Sequence, residues 1–409
     1  MTRFEAPRGT HDILPSEQPL WQWVRGQMEE VCALYAYRRI DTPAIEDTDL
    51  IIRTSGGGSD IVQKETYTFE DRGGRSLTLR PEATAPICRA YVQHGLHREP
   101  QPQKLYTIGP MWRYDRPQKG RYREHWQLSV EAIGTDDPAV DAEVIQLYAE
   151  LLRRLGVARY TLELNSIGDR NCRPAYVERL TEWLDAHDAD LDEEVRAKRE
   201  TSPLRVFDVK SERVQAVLAD APKIGDSLCD ECLSHFADVR AFLDTYGVAY
   251  ELVPTLVRGI DYYTRTTFEF KSEDLGAKDT ICGGGRYDGL IEEIGGAPTP
   301  GIGFGAGLER LLLSVPDADR NAAAIDVYFV TTERADRTRV LPLLSELRRR
   351  GLRADMDYGG RSQKGQLGQA GKLNAGWTVI VDGGEATVRE PGRDDWTAAL
   401  DELVDRISG

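Results

Sequence analysis

The order of predicted strands and helices changes twice along the chain, and this constrains the fold more than any other feature. Before residue 170, short strands follow one another through turns: residues 66–80 alternate around Asp71-Arg72-Gly73-Gly74 as in a hairpin, and further strands fit 105–109 and 126–133. Strands resume over 264–270 and 279–282. Strands joined by hairpins, with helices such as 18–39 and 86–94 between groups, are typical of an antiparallel sheet in an α+β domain.

Two further segments have different patterns. Residues 170–250 are acidic and helical, whereas beyond Ala324 strands over 325–330, 352–357 and 377–381 alternate with helices over 337–350 and 362–374. That alternation predicts a parallel, three-layer α/β domain. We therefore predict that the sheet domain occupies 1–169 and 251–314, that 170–250 is a helical insertion, that 314–324 is a linker, and that 325–409 form the α/β domain.

Length and charge limit the class of protein. A chain of 409 residues is too long for one ordinary core. The net charge of −16 excludes a general polyanion-binding body but not a local basic strip. Neither an apolar run of membrane-spanning length nor the features of a signal peptide are present, and six cysteines are too few for a disulfide scaffold. These features predict a soluble protein of the reducing cytoplasm, with no membrane partner.

Several apparent motifs fail on inspection. The glycines of 365–372 have the wrong spacing for a P-loop, and Gly301–Ala306 follows a Pro-Thr-Pro sequence instead of the buried strand that a dinucleotide fingerprint needs. Cys229 and Cys232 form a lone Cys-x-x-Cys with only His235 nearby. A zinc site needs four ligands, so a structural role for the two cysteines is favoured and no metal site is predicted. His11, His94, His97 and His187 have no partners at triad spacing, and no catalytic role is assigned to them.

The segment 109–123 is rich in arginine. Five basic residues lie between Arg113 and Arg123, interleaved with the aromatic residues Trp112, Tyr114 and Tyr122. The flanking sequence is β-type, so the segment is predicted to be a hairpin loop. Arginine presents a planar donor fork suited to phosphate, and aromatic faces stack on bases. We therefore predict a phosphate-bearing ligand rather than a merely solvated charged turn.

Two more arginines lie in apolar sequence beside glycines. Arg258 precedes Gly259, and it is either a buried ion-pair partner of Asp261 or a cation that stabilises a transition state. Three glycines follow a strand at 283–285, and glycine at every second position from Gly301 removes the side chains from one face of a strand. Arg310, in the apolar run that follows, needs an anionic partner.

These segments together resemble the class II aminoacyl-tRNA synthetases and, within that class, the histidyl-tRNA synthetase family. Pro43, Arg113–Glu131 and Gly301–Arg310 are similar to the three motifs of the class. The strings Leu256-Val257-Arg258-Gly259-Ile260-Asp261-Tyr262-Tyr263, Gly283-Gly284-Gly285-Arg286-Tyr287-Asp288, Leu79-Arg80-Pro81-Glu82 and Pro7-Arg8-Gly9-Thr10-His11-Asp12 are similar to those of the histidine-specific family. The resemblance covers about residues 3–381 and implies a six-to-seven-stranded antiparallel class II sheet, a C-terminal anticodon-binding domain and a homodimer.

The resemblance also implies residue roles. Arg113 and Arg258 would face the α-phosphate of ATP while the histidine carboxylate attacks it, and Arg310 would hold the γ-phosphate, with Mg²⁺ bridging the β- and γ-oxygens. Asp115 and Arg121 would complete the ATP site, while Arg116 and Gln118 would contact the acceptor end of tRNA(His). The implied histidine-binding residues are Glu82, Ala83, Thr84, Gln127, Glu131, Tyr262 and Tyr263, with Glu82 and Thr84 at the ammonium group and Glu131 at an imidazole N–H.

Some positions depart from the family pattern, namely Ala83, Asp115, His125-Trp126 and Ser129. Two rival hypotheses remain at this point. A catalytically silent, synthetase-like regulatory subunit would bind histidine, but such paralogues tend to lose the anticodon domain and the arginines, which are present here. A purely structural nucleic-acid-binding protein would leave the arginines in apolar sequence unexplained.

Overall fold

The computed structural model describes residues 4–56, 61–207, 209, 211–276, 279–316 and 325–408. It divides into two compact units, Met1–Asp317 and Ala318–Gly409. The predicted linker falls at this division, although residues 317–324 lie outside the described residues. The finer boundaries at 169, 250 and 314 stay predictions.

The first unit is built on an eight-stranded sheet with the order β1-β5-β6-β11-β10-β9-β7-β8. Its six central strands are all antiparallel, and two-residue strands join the edges in parallel. A smaller sheet has the order β2-β4-β3, and it contains the predicted hairpin at residue 71. The strands are β1 Arg38–Arg39, β2 Ile45–Asp47, β3 Tyr67–Glu70, β4 Ser76–Leu79, β5 Gln103–Trp112, β6 Glu124–Ile133, β7 Tyr160–Ser166, β8 Glu251–Leu252, β9 Thr264–Ser272, β10 Thr280–Arg286 and β11 Gly301–Gly307. The predicted α+β class is confirmed.

Helices cover the large sheet and fill the segment between β7 and β8. They are α1 Gln18–Leu34, α2 Thr48–Ser55, α3 Thr84–Gln93, α4 Pro138–Leu155, α5 Arg173–Ala186, α6 Glu193–Thr201, α7 Glu212–Leu218, α8 Asp230–Tyr246, α9 Leu290–Glu293 and α10 Leu308–Ser314. The main core forms where apolar faces of α1 and α4 meet the sheet; Tyr148 of α4 packs edge-on against Phe270 and Phe304. This core fixes the strands whose opposite face carries the site described below.

The first helix is shorter than its periodicity predicts. It ends at Leu34 rather than at residue 39 because Ala36 adopts a left-handed backbone, with φ of +61°. That conformation interrupts the helix, and Arg38 and Arg39 pair instead with β5 as an edge strand. The prediction of a helix through residue 39 was wrong at its end.

The predicted insertion is helical, as expected, and has a core of its own. Apolar residues of α5, α6 and α7, including Tyr176, Leu184, Val195 and Val214, are buried together. The segment therefore packs as a distinct layer of the first unit, held at its two ends by β7 and β8.

The second unit is an α/β fold with a mixed sheet in the order β13-β12-β14-β15-β16. Its elements are β12 Ile325–Thr331, α11 Arg334–Arg349, β13 Ala354–Met356, α12 Gln363–Lys372, β14 Ala375–Asp382, β15 Glu385–Arg389, β16 Trp396–Ala399 and α13 Leu400–Ser408. The three strands predicted from the alternation are parallel, but β15 and β16 are antiparallel additions. The expectation of a wholly parallel sheet was wrong because the Gly383-Gly384 turn returns the chain directly beside β14, as only antiparallel neighbours allow.

Among the helices that the structure describes, none is long and apolar enough to cross a membrane.

Candidate active site

A buried carboxyl group lies at the centre of the site. Glu131 of β6 is fully buried; its Oε1 accepts a hydrogen bond from Thr84 Oγ1 (2.7 Å) and its Oε2 accepts one from Tyr287 Oη (2.6 Å). Burial raises the pKa of Glu131 to about 8, although the two hydroxyl donors oppose that shift. The carboxyl group is therefore held in a fixed orientation and can change protonation near neutral pH.

A second buried carboxyl group, Glu82, lies at the start of α3. Its two oxygens accept hydrogen bonds from the backbone N–H groups of Thr84 (2.5 Å) and Ala85 (2.8 Å), which otherwise have no partner in the first helical turn. Burial raises the pKa of Glu82, while these donors oppose the shift. Ala83, between the two pocket residues, is also fully buried. Thr84 thus joins both acids, because its N–H contacts Glu82 and its hydroxyl contacts Glu131.

Tyrosine rings form one wall of the pocket. The rings of Tyr262 and Tyr263 lie 4.6 Å apart, and the ring of Tyr262 lies 5.8 Å from that of Tyr287. Arg173 Nη2 donates to the backbone carbonyl of Tyr263 (2.6 Å), which fixes the loop that carries the tyrosines. The pocket therefore combines flat, apolar faces with two acids.

The glycines of β11 face β6 residues of this pocket. Gly303 pairs with Glu131 and Gly305 with Ser129, and a Cβ atom on Gly305 would lie 2.7 Å from Gln127 Nε2. In the neighbouring strand, a Cβ on Gly285 would lie 2.9 Å from Tyr263 Cδ1. The glycines therefore leave one strand face without side chains, as predicted, and the side chains of the pocket occupy the space that Cβ atoms on this face would take.

Replacing Gly305 with alanine should displace the Gln127 side chain, whose Nε2 otherwise donates to Ser129 Oγ (2.8 Å). We expect the KM for the pocket's ligand to rise by about tenfold or more, since small displacements of positioning groups are costly. Gly307→Ala is the matched control, because a Cβ there meets nothing within 4 Å. Steady-state kinetics of both variants tests this; equal KM values in G305A, G307A and the unchanged protein would contradict it.

Arg258 lies at one edge of this pocket and forms an ion pair with Glu269 of β9. Glu269 Oε1 also accepts from Thr280 Oγ1 (2.9 Å). Burial lowers the pKa of Arg258, but Glu269 more than offsets this, so the net pKa lies above its usual range. Asp261, the ion-pair partner considered from the sequence, accepts instead from Ser202 Oγ (3.3 Å). Of the two interpretations of Arg258, the ion pair with Asp261 is therefore wrong, because Arg258 pairs with Glu269.

Arg113 lies at the end of β5, where the arginine-rich loop begins. Its Nε donates to the carbonyl oxygen of Pro81 (2.8 Å), and its charge acts on Glu82 and His125. Burial together with the Arg113 charge lowers the pKa of His125 to about 3, so that ring is neutral at physiological pH. The guanidinium of Arg113 therefore lies close enough to the acidic pocket to act on Glu82.

The loop itself is a hairpin, as predicted, with Arg121 paired to Asp115 (2.6 Å). Arg310 lies beside it: its Nη1 donates to Thr280 O (2.6 Å), and burial followed by the nearby Arg121 lowers its pKa. Arg116 and Gln118 are exposed on the loop. The structure therefore brings Asp115, Arg121 and Arg310 together and leaves Arg116 and Gln118 on the surface.

Two residues of this site were not singled out from the sequence. Tyr287, which donates a hydrogen bond to Glu131, follows the glycines at 283–285, but the sequence predicts no role for it. Glu269, the ion-pair partner of Arg258, lies in a strand without a recognisable motif. The glycines before Tyr287 were the available signal for the first. Nothing local in the sequence marks Glu269.

Comparison with known proteins gives consistent matches. A family model described as "Histidyl-tRNA synthetase" matches residues 9–311. The chain is 48% identical to a protein named "Histidine–tRNA ligase" from Desulforamulus reducens, covering 97% of each chain, and 47% identical to one of the same name from Halothermothrix orenii, covering 94% of each. The crystal structure of the apo histidyl-tRNA synthetase of S. aureus is similar over 100% of both chains, with a TM-score of 0.84 and 36% identity.

Proposed function

Because the chain belongs to the histidyl-tRNA synthetase family, we propose that it activates histidine with ATP and transfers the histidyl group to tRNA(His). The observation that carries this proposal is the convergence of Arg113, Arg258 and the Glu131 pocket in one cleft of the large sheet. In the first step the histidine carboxylate attacks the α-phosphorus and pyrophosphate leaves. In the second step the adenylate gives its acyl group to the terminal ribose of the tRNA.

The two arginines would stabilise the transition state of activation. Negative charge develops on the α-phosphate oxygens during the attack, and preorganised cations facing those oxygens lower the barrier. The Glu269 ion pair and the Pro81 hydrogen bond hold Arg258 and Arg113 in fixed orientations before ATP binds. That preorganisation supports a catalytic role for both.

The nucleotide would extend from Arg258 toward Arg310. Arg310 would bind the γ-phosphate, and the Asp115–Arg121 pair would lie beside the nucleotide in the loop. Glu269, whose charge acts on both Arg258 and Arg310, would be the carboxylate to hold a Mg²⁺ ion carried by ATP. When bound, it would neutralise the β- and γ-phosphate oxygens.

The amino acid would lie between the two buried acids. Glu82 would accept from the ammonium group with Thr84, while Glu131 would accept from an imidazole N–H and Tyr262, Tyr263 and Gln127 would enclose the ring. A site that hydrogen-bonds the side chain of its substrate rejects analogues that lack those groups by roughly 10⁴–10⁵. Hydrolytic proofreading is then unnecessary.

The tRNA contacts are proposed on exposed basic residues. Arg116 and Gln118 project from the hairpin loop and suit the acceptor end. In the second unit, the arginines and lysines at positions 348–350, 361, 364 and 372 would contact the anticodon. All four arginines of this set form ion pairs within the unit. An exposed pair such as Arg349–Glu346 is weak and can be exchanged for phosphate contacts, whereas Arg361 is paired to the buried Asp357. A homodimer in the cytoplasm completes the proposal.

Histidine-dependent exchange of labelled pyrophosphate into ATP tests this function. If the protein is the proposed enzyme, the exchange should depend on histidine, and the protein should then charge tRNA(His). The rival regulatory subunit would bind histidine without exchange, and a passive nucleic-acid binder would do neither. The presence of Arg113, Arg258 and Arg310, together with the curated names of the relatives, favours the enzyme.

Histidine affinity should depend on the protonation of Glu131. Its raised pKa of about 8 means that most of this group is protonated at pH 7 in the free protein, whereas an imidazole N–H donates a much stronger hydrogen bond to the ionised carboxylate. Binding should therefore release a proton, and affinity should rise up to about tenfold per pH unit between about pH 6.5 and 8. Calorimetry at pH 7 in buffers of different ionisation enthalpy measures the proton release.

The control for this titration is Glu309→Gln. Burial raises the pKa of Glu309 to about 7, but both oxygens of that carboxylate accept from the backbone N–H of Trp126 (2.9 and 3.1 Å). Proton release should persist in E309Q and disappear in E131Q. Proton uptake by the unchanged protein, or release that survives in E131Q, would contradict the role of Glu131.

A further inference from the structure

Four side chains that can bind a metal meet away from the pocket, at the base of the helical insertion. Asp169, Cys172, Cys229 and Cys232 each offer one ligand atom, and these atoms all lie within 4.8 Å of one another. Asp169, Cys172 and Cys232 are buried, and Cys229 is half-buried. In the sequence only His235 lies near Cys229 and Cys232, but in the structure His235 Nε2 lies 3.6 Å from Asp141 Oδ2 and the cysteines meet Asp169 and Cys172 instead.

We propose that this cluster is a structural zinc site, with three cysteine sulfurs and one Asp169 oxygen as ligands. A tetrahedral ion with Zn–S near 2.3 Å and Zn–O near 2.0 Å separates neighbouring ligand atoms by about 3.8 Å for two sulfurs and about 3.5 Å for sulfur and oxygen. Cys172 Sγ lies 3.9 Å from Cys232 Sγ and 3.6 Å from Asp169 Oδ1. These two separations are within about 0.1 Å of the tetrahedral values, and all four ligand atoms lie within 4.8 Å of one another.

The backbone around the cluster is also arranged for thiolate ligands. Asp169 N–H donates to Cys172 Sγ (3.3 Å), and Asp169 Oδ1 is oriented by the N–H groups of Asn171 (2.9 Å) and Cys172 (3.3 Å). Gly168 has a φ of +64°, and a Cβ there would lie 2.6 Å from Cys172 Sγ. A side chain at this position would occupy the space that the sulfur fills.

The local charges offset those of the ligands. Cys172 and Cys229 are the N-cap residues of α5 and α8, so that both helices begin at the cluster with their positive dipole ends. Arg265 Nη2 lies 3.6 Å from Asp169 Oδ2, the oxygen turned away from Cys172. Three thiolates and a carboxylate on one divalent ion carry a net charge of −2, which these positive groups stabilise.

The site would close the insertion upon itself. Asp169 and Cys172 stand between β7 and α5, whereas Cys229 and Cys232 stand at the start of α8, so one ion would join the two ends of the intervening helical core. The same base contacts β9, which follows the pocket residues Tyr262 and Tyr263, because Arg265 N–H donates to Gly168 O (2.7 Å). Soft thiolate ligands select zinc over Mg²⁺ or Ca²⁺.

Metal analysis of the full-length protein tests the proposal independently of any aminoacylation assay. Protein purified under reducing conditions from zinc-supplemented cells should contain about one zinc ion per chain, as a single four-ligand site requires. Elemental mass spectrometry measures this zinc content. Cys229→Ser, at the half-buried ligand, should lose most of the zinc, whereas Cys32→Ser, at a buried cysteine of α1, should retain it. Full zinc content in C229S would overturn the assignment.

A second measurement covers the case in which a variant fails to fold. Zinc removed from the unchanged protein with a chelator and replaced by Co²⁺ should produce the thiolate-to-cobalt charge-transfer absorption of a tetrahedral sulfur-rich site, and zinc removal should lower the melting temperature. Absence of both zinc and the cobalt spectrum would overturn the proposal. So would a disulfide between Cys172 and Cys232 in the protein isolated under reducing conditions, detected as a mass 2 Da lower than that of the free thiols.

Discussion

Arg258→Ala should form histidyl-adenylate about 10²- to 10³-fold more slowly than the unchanged protein, because it removes one of the two cations proposed to face the α-phosphate. The KM for histidine should change far less, since Arg258 is paired to Glu269 at the edge of the amino-acid pocket. Single-turnover formation of the adenylate at saturating ATP and histidine measures this directly.

Loss of the ion pair must be separated from loss of the catalytic cation. R258A leaves Glu269 without its partner in a largely buried position, which costs stability, so the melting temperature has to be measured alongside the rate. Arg154→Ala is the matched control: the Arg154 side chain is 23% exposed against 21% for Arg258, and it pairs with Glu30 of α1 and Glu150 of α4. A folded R258A protein with an unchanged rate, or an equal slowing in R154A, would contradict the catalytic role.

Glu131→Gln should lower kcat/KM for histidine by about 10- to 150-fold, the range expected when a charge-assisted hydrogen bond of about 1.5–3 kcal/mol is lost. The amide has the same shape and its oxygen can still accept from Thr84 or Tyr287, so the pocket should keep its packing. The KM for ATP should stay within about twofold, because the nucleotide is proposed to bind through the arginines. Histidine- and ATP-dependent steady-state kinetics separate the two effects.

Which parameters change in E131Q distinguishes a role of Glu131 in histidine binding from a purely structural one. If Glu131 only supports the core, E131Q should alter both KM values and the melting temperature together. If it accepts from the imidazole, the loss should be confined to histidine and should be smaller for analogues that already lack the ring N–H. Equal losses for histidine and such analogues would contradict the proposed contact.

Much of the first unit could be predicted from the sequence because local patterns and the three-dimensional fold agree there. The alternating residues before β6 and the Asp71 turn identify strands and a hairpin, and glycine at every second position of β11 identifies a face without side chains. In each case the determining interaction is local: side-chain alternation, turn chemistry or steric space.

The features that could not be predicted depend on contacts between distant parts of the chain. Glu269 reaches Arg258 because the Arg258 guanidinium lies over Gly283 of β10, the residue paired with Glu269 of β9. Asp169 approaches Cys232 only because the insertion returns to its starting point. The end of α1 depends on the left-handed backbone of Ala36, which cannot be predicted from the sequence because alanine rarely adopts that conformation. Spacing rules for metal ligands likewise miss sites whose ligands are 57 or more residues apart, as Cys172 and Cys229 are.

A crystal structure of the protein with histidine and a non-hydrolysable ATP analogue tests the central claim most directly. Arg113 and Arg258 should both donate to α-phosphate oxygens at about 2.7–3.1 Å, with Glu131 at hydrogen-bonding distance from the imidazole of the bound histidine. Histidine bound with its imidazole away from Glu131, or an α-phosphate contacted by neither arginine, would contradict the account.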